Sequence, residues 1–271
     1  MNLNEGIPNL VHKDYQGADQ KDKQNHHFPS RKLFAGKSNF SDSESKRKYN
    51  LSLFKEVAPK YQYATIALSF GQDRHWKKLL IDQTPTEKQL VIVDIATGTG
   101  DIAQLLKKKY TQSLVLGVDQ SIDMMHYQKN RNTQEKMYVS AQDMNVLALK
   151  KESVDLVTGG YALRNAPDIS TTLDEIHRIL KPGGYAAFLD FSRLSSRVWW
   201  AIEYRLLKFW GIIWGFLLHR DPSVYAYIAE SLSRFPDEKE IVKLFGVKGF
   251  ELHKSIRLFG GFLNISIVKK C

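Results

Sequence analysis

From about residue 90 onward, short apolar runs alternate with polar stretches of helical period. The runs at 90–95, 114–119, 137–140, 154–159 and 184–191 read as buried strands. Helices are predicted at 100–109, 121–131 and 169–180. In the last, Ile169, Leu173, Ile176 and Leu180 share one face at spacings of four, three and four. Lys181-Pro182-Gly183-Gly184 then stops it, because Pro and Gly together end a helix. Alternating strands and helices predict an α/β fold: a mostly parallel, seven-stranded sheet with helices on both faces. Helices at 222–233 and 237–246 follow. Strands at 249–257 and 262–269 form an antiparallel C-terminal hairpin through Phe259-Gly260-Gly261.

Outside this alternation the pattern changes twice. Residues 1–47 show no period and read as a disordered or extended segment. The folded domain is expected over 48–271. Leu51, Leu53, Phe54 and Val57 start a helical portion over 48–85, with a second helix from Tyr61 through Trp76 to Leu80 broken near Gly71. Residues 197–235 form an inserted helical segment, with tryptophans at 199, 200, 210 and 214 bracketed by Arg197, Arg205, Lys208 and Arg220. It is either a core helix capping the sheet or a lid facing an apolar substrate or a membrane interface. Its longest apolar stretch, 209–218, is too short to span a bilayer, which needs about 20 residues. The N-terminus lacks the apolar core of a secretion signal.

Composition narrows the classes. The length of 271 residues suits one sizeable domain. Cys271 is the single cysteine, so no intramolecular disulfide forms and no Cys/His metal cluster exists. The net charge is +10, with basic runs at 46–48, 107–109 and 269–270. These are a solvated surface or a match for an anionic membrane. Nucleic acid is not expected, because no basic element of the first half is interleaved with aromatics.

The chemistry concentrates at one turn. The strand at 90–95 runs into Asp94-x-x-x-Gly98-Thr99-Gly100-Asp101 and a helix, and the next strand ends in Asp119. This is the layout of a nucleotide-type cofactor site, without the third glycine of the dinucleotide fingerprint. Asp94 and Asp101 would repel a pyrophosphate and suit a cation. S-adenosyl-L-methionine carries a sulfonium, an ammonium and no phosphate. Asp119 can accept both ribose hydroxyls; the other reading is a helix N-cap, which Ser121 could supply. A bare tight β–α turn is the plain alternative for the glycines.

Several separate motifs resemble the C-methyltransferases of ubiquinone and menaquinone biosynthesis, over roughly residues 50–270. They are Phe54-x-x-Val57-Ala58-x-Lys60-Tyr61 with Ser69-Phe70-Gly71-x-x-Arg74-x-Trp76, the glycine turn, Leu163-Arg164-Asn165, Lys181-Pro182-Gly183-Gly184, and Glu230-Ser231-x-x-x-Phe235-Pro236. The resemblance implies a Rossmann-like class I methyltransferase that moves a methyl group from S-adenosyl-L-methionine to a ring carbon of a reduced polyprenyl quinone. It implies that Asp94, Thr97, Gly98, Gly100, Asp119, Gln120, Asp143, Met144 and Gly160 hold the cofactor, with Asp143 at the adenine amino group. It makes 48–85 a substrate cap, with Tyr61, Phe70, Asn165, Tyr225 and Tyr227 toward the substrate. A polyprenyl quinol, the inner face of a membrane (the matrix side of an organelle in a eukaryote), and a homodimer or quinone-biosynthesis complex are the implied partners.

Carbon methylation requires a neighbouring hydroxyl to lose its proton. Arg164 is the first candidate to stabilise the phenolate or to orient a water that takes the proton; its plain alternative is a salt bridge to Asp168 or Asp190. Tyr161 can bond the ring oxygens. Asp73 and His75 lie in the cap motif, and His75 suits base work, the alternative being an exposed histidine. Tyr225 and Tyr227 are pocket or core residues, and Asp143 is an adenine ligand or a solvated acid. Tyr161-Ala162 stands where the family pattern has Phe-Gly. The functional alternatives are a methyltransferase of another phenolic or lipid substrate and a non-catalytic cofactor-binding paralogue.

Overall fold

The computed structural model describes residues 42–85, 90–129 and 138–271. The expectations for 1–41 and for the ends of two elements at 130–137 fall outside these residues.

Helices α1 (Ser43–Val57), α2 (Tyr61–Leu68) and α3 (Asp73–Asp82) come first, with a 3-10 turn at Ala58–Lys60. Helix α1 corrects the expected start near Lys48: it begins five residues earlier, at Ser43. Asp42 accepts from the Ser45 amide at 2.8 Å, and Glu44 pairs with Arg47. A side-chain cap and a local ion pair support this first turn, and neither leaves an apolar period in the sequence.

The sheet strands are β1 (Val91–Ile95), β2 (Leu114–Asp119), β3 (Tyr138–Ala141), β4 (Val154–Gly160), β5 (Leu180–Phe191), β6 (Phe250–Leu258) and β7 (Leu263–Lys270). Their spatial order is β3-β2-β1-β4-β5-β7-β6. The first five are parallel, and β7 runs antiparallel to both β5 and β6. Helices α4 (Asp101–Lys109), α5 (Ile122–Lys129), α6 (Ala162–Asn165) and α7 (Ile169–Ile179) lie between the parallel strands. Strand β5 starts four residues earlier than its apolar run. Leu180 pairs with Val154 and Tyr185 with Leu156, so a bulge absorbs Pro182, Gly183 and Gly184.

Alternate residues of the central strands feed two cores. Val93 and Ile95 pack with Leu173, Ile176 and Phe245; Ile92 packs with Leu106, Leu156 and Ile265. Each such fully buried side chain is worth about 1.5–3 kcal/mol. A third cluster joins α1 and α2 to α9 (Ser223–Ser233) through Leu53, Val57, Ala64, Val224, Tyr225 and Tyr227. It holds the cap over the carboxyl ends of the strands.

Helix α8 (Arg197–His219) packs on α9 through Gly211 and Gly215, and α10 (Glu238–Val247) leads into β6. A Cβ on Gly211 would stand 2.5 Å from the Tyr225 carbonyl oxygen, so only glycine permits this approach. The opposite face of α8 is exposed and apolar, with Trp199, Leu206, Phe209 and Phe216 each more than 60% accessible. Among the described residues no helix is long and apolar enough to cross a membrane.

Candidate active site

Strand β1 delivers Asp94 to a turn in which Ala96, Gly98 and Gly100 all adopt positive φ. Asp94 is buried and accepts from the Thr97 hydroxyl at 2.6 Å and the Thr158 hydroxyl at 2.7 Å. Burial pushes its carboxyl up to about 7 in spite of these bonds. The Thr97 side chain fills the space above Gly117 of β2, where an added Cβ would be 3.0 Å away. Gly100 caps α4. Asp94, Thr97 and Gly100 therefore build the turn and do not line the cleft beside it. The expected negative flank at Asp101 is also corrected: Lys77 Nζ lies 2.9 Å from its carboxylate.

The cleft lies at the strand ends and spans about 690 Å³ of space open to solvent. Gly98, Asp119, Gln120, Asp143, Met144 and Gly160 line it. Asp119 accepts from the Gly98 amide at 2.8 Å and the Ser121 amide at 2.7 Å, which ties the turns after β1 and β2 together. Burial raises its carboxyl above the ordinary value. Ser121 accepts from the Met124 amide at 3.3 Å, so it serves the helix as a cap. Gln120 Nε2 donates to Asp143 at 3.0 Å, and the Asn145 amide donates to the other Asp143 oxygen at 2.9 Å. An added Cβ on Gly160 would meet Ile102 at 2.4 Å.

A second chamber of about 700 Å³ lies under the cap. Leu53, Val57, Leu68, Trp76 and Val224 give it apolar walls. Tyr61, Asp73, Tyr161, Arg164, Asn165 and Tyr227 are among its polar lining residues, and Tyr225 lines it too. Arg164 is buried, with Nη1 donating to Ser231 Oγ at 2.7 Å and Nε 3.6 Å from Asp190 without a hydrogen bond. Its guanidinium carbon is 5.6 Å from the Phe191 ring centroid. Burial pushes the Asp190 carboxyl up to about 6, against the pull of Arg164. Of the two carboxylates foreseen for Arg164, Asp190 is the partner, while Asp168 caps α7. Phe54, Tyr61, Tyr161 and Asn165 line both spaces, so cleft and chamber share a wall.

Residues 42–270 match the model of the ubiE/COQ5 methyltransferase family. The chain belongs to that family. It is an S-adenosyl-L-methionine-dependent methyltransferase. The 2-phytyl-1,4-naphtoquinone methyltransferase of Nostoc punctiforme is 32% identical over 226 residues, 81% of this chain and 97% of the relative. The ubiquinone/menaquinone biosynthesis C-methyltransferase UbiE of Rubrivivax gelatinosus is 34% identical over 202 residues, 73% of this chain and 78% of the relative. Among solved structures, a SAM-dependent methyltransferase from Thermotoga maritima superposes with a TM-score of 0.58 at 20% identity, covering 82% of this chain and 99% of that one. The [4+2]-cyclase SpnF superposes at 0.60 and 12% identity, covering 82% and 95%. At such identities the likeness fixes the fold and leaves the chemistry to the site.

The methyltransferase's cleft fits its cofactor by charge. Asp119 and Asp143 are the charged side chains among the described residues that line it. No lysine or arginine among those residues faces a phosphate there. Acids, backbone amides and methionines suit a nucleoside with a sulfonium and an ammonium group.

Two expected substrate or catalytic residues fall elsewhere. His75 is exposed on the outer face of α3 and lines neither space. Phe70 is 73% exposed in a left-handed turn and stacks on Trp210, with centroids 4.9 Å apart. Tyr225 lines the chamber while its hydroxyl meets His219 Nε2 at 2.8 Å. The Tyr227 hydroxyl stands 2.8 Å from Asn50 Oδ1 and 3.1 Å from Asn165 Oδ1. Sequence reasoning passes over Asn50. Its one signal is an amide three and seven residues before the apolar anchors Leu53 and Val57, on their helix face.

Proposed function

We propose that this methyltransferase places a methyl group on a ring carbon of a reduced polyprenyl quinone, a demethylmenaquinol or a polyprenyl benzoquinol. The observation that carries this reading is the shared wall: an apolar chamber lies directly against the cofactor-type cleft, with Tyr61, Tyr161 and Asn165 lining both. The names of the relatives point the same way. S-adenosyl-L-methionine, when bound, supplies an electrophilic methyl group. In this reading Asp119 orients the ribose and Asp143 the adenine amino group. Gly98 and Gly160 leave room for the ligand's close approach.

Arg164 then acts as the fixed cation of the chamber. A guanidinium does not act as a base, but it stabilises the negative charge that grows on a ring oxygen. Ser231, Asp190 and Phe191 hold its plane. Tyr161 stands between the two spaces and bonds the ring oxygen, while Tyr225 and Tyr227 bound the chamber. The exposed face of α8, with basic Arg197 and Arg205 on the same helix, suits peripheral attachment to an anionic membrane on its inner face. Burial of aromatic and aliphatic side chains there would bring a lipid substrate to the cap.

The test is methyl transfer from labelled S-adenosyl-L-methionine to short-chain demethylated benzoquinols and naphthoquinols, with mass spectrometry locating the methyl. Transfer to a ring carbon is expected, and the preferred ring names the substrate. Transfer to oxygen, or to no quinol, removes the reading in favour of another phenolic acceptor or a non-catalytic role. Co-sedimentation with anionic vesicles tests the membrane surface, with Trp199→Ser/Phe209→Ser expected to lower the bound fraction.

A further inference from the structure

Asp73 opens α3 at the meeting point of two spaces. Its Oδ1 accepts from the Tyr161 hydroxyl at 2.9 Å. Its Oδ2 pairs with Lys77 Nζ at 2.6 Å, and Lys77 also holds Asp101 at 2.9 Å. Asp73 lines the apolar chamber from inside. It also lines a separate open cleft of about 860 Å³ on the outer side of α3, together with Arg74, Lys77, Asp101 and Lys108. Tyr161 lines the chamber and the strand-end cleft together. A continuous path therefore runs from the place where the two spaces meet, through one phenol and one carboxylate, to a polar surface.

The chemistry requires an exit for a proton, and this path supplies one. Attack by a ring carbon needs the neighbouring hydroxyl to lose its proton, and the overall reaction releases one proton. Arg164 does not accept it, and His75 lies outside the chamber. Burial and the adjacent Asp73 carboxylate hold the Tyr161 phenol protonated, well above its ordinary range. Its hydroxyl hydrogen is committed to Asp73, which leaves oxygen lone pairs for a donor in the chamber.

We infer that Asp73, acting through the Tyr161 hydroxyl, takes the proton of the methyl acceptor and passes it to the outer cleft. This rests on the quinol reading above. The substrate O–H bond breaks and its proton goes to the Tyr161 oxygen, as the Tyr161 proton goes to Asp73. The electron pair stays on the ring as a phenolate. The ring carbon takes the methyl as the methyl–sulfur bond breaks, leaving that pair on sulfur. The methylated carbon then loses its hydrogen as a proton and the phenol re-forms, so one proton leaves in total. Asp73 gives it to water in the outer cleft. Lys77 is the positioning residue, keeping the carboxylate in line with Tyr161.

Tyr161→Phe is the cleanest test, since it removes one oxygen and keeps the ring stacked on Phe191, 5.3 Å away. Single-turnover rates on the best quinol are compared for wild type, Tyr161→Phe, Asp73→Asn, the double variant and Asp73→Glu. A relay predicts a roughly 100-fold loss in the single-turnover rate of each single variant, with cofactor affinity within about twofold. The double variant is no slower than the slower single, and Asp73→Glu regains part of the rate. Undiminished turnover in Tyr161→Phe overturns the relay. So do losses that multiply in the double variant. If wild type transfers methyl to no quinol, the substrate reading fails and the relay falls with it. The two failures are thus distinguishable.

Discussion

The strand-end cleft and the cap chamber share a wall but are assembled in opposite ways. Each loop of the cleft leaves a parallel strand whose register fixes it: Ile95 beside Val118, and Asp119 beside Ala141. The chamber gathers residues far apart in the chain. Asn50 Nδ2 donates to the Asn165 carbonyl at 2.7 Å, and Tyr227 reaches both asparagines. The strand-end side of the cleft is thus a property of the sheet, and the chamber a property of helix docking. The two should fail separately.

The largest separation is expected from Gly211→Val. Its side chain would strike the α9 backbone at Tyr225, at a cost of about 3 kcal/mol. Quinol turnover should collapse while S-adenosyl-L-methionine binding, read by calorimetry, stays within about twofold. Equal loss of both would show that the cleft depends on the cap. The converse variant is Asp119→Ala. It leaves the Gly98 and Ser121 amides without their acceptor and should weaken cofactor binding about 10–100-fold, with a lowered melting temperature as the two turns come apart.

Asn165→Ala cuts the wall itself. Its Nδ2 donates to the Tyr161 carbonyl at 2.8 Å. Loss of that bond and of the Tyr227 contact should cost about 1 kcal/mol in denaturant unfolding, with KM for the acceptor rising more than cofactor affinity falls. The smallest effect compares two buried acids, Asp94 beneath the glycine turn and Glu203 on α8. Burial lifts both Asp94 and Glu203 to about 7. A carboxyl with a raised folded value stays protonated where the unfolded chain has already lost its proton. Stability from Glu203 is therefore lost as pH rises from 4.5 to about 7. Asp94 has both oxygens bonded by hydroxyls, whereas among the described residues Glu203 Oε1 has no hydrogen-bond partner and its other oxygen accepts from the Leu194 amide. Thermal melts should show Glu203→Gln flattening the pH dependence and gaining slightly at pH 8, while Asp94→Asn loses stability.

The same contrast explains what the sequence disclosed. Strands β1, β2 and β4, the glycine turn and Asp119 are legible because apolar runs and a positive-φ turn are local signals. The N-terminal turn of α1 rests on Asp42, and β5 starts early at a bulge; neither follows from an apolar period. His75 and Asp73 show the limit most clearly. They are two residues apart and so lie on nearly opposite sides of α3. Asp73 shares its side with Trp76 and Leu80, at spacings of three and four, and that period points it inward. Attention to ring chemistry favours the histidine; helical geometry favours the acid. Asn50 and Asn165 meet only after the cap has docked, and no local pattern announces it.

The position of β7 between β5 and β6 has a consequence for synthesis. While the chain is being made, β5 emerges long before its antiparallel neighbour. Its outer edge, seven paired positions from Tyr185 to Phe191, then offers unsatisfied amides and carbonyls to any passing strand. The long α8–α10 excursion must emerge before residues Leu263–Lys270 can slide in and seal it. Nascent chains stalled before Leu263 should thus cross-link to holdase chaperones, and release of the last strand should end that contact.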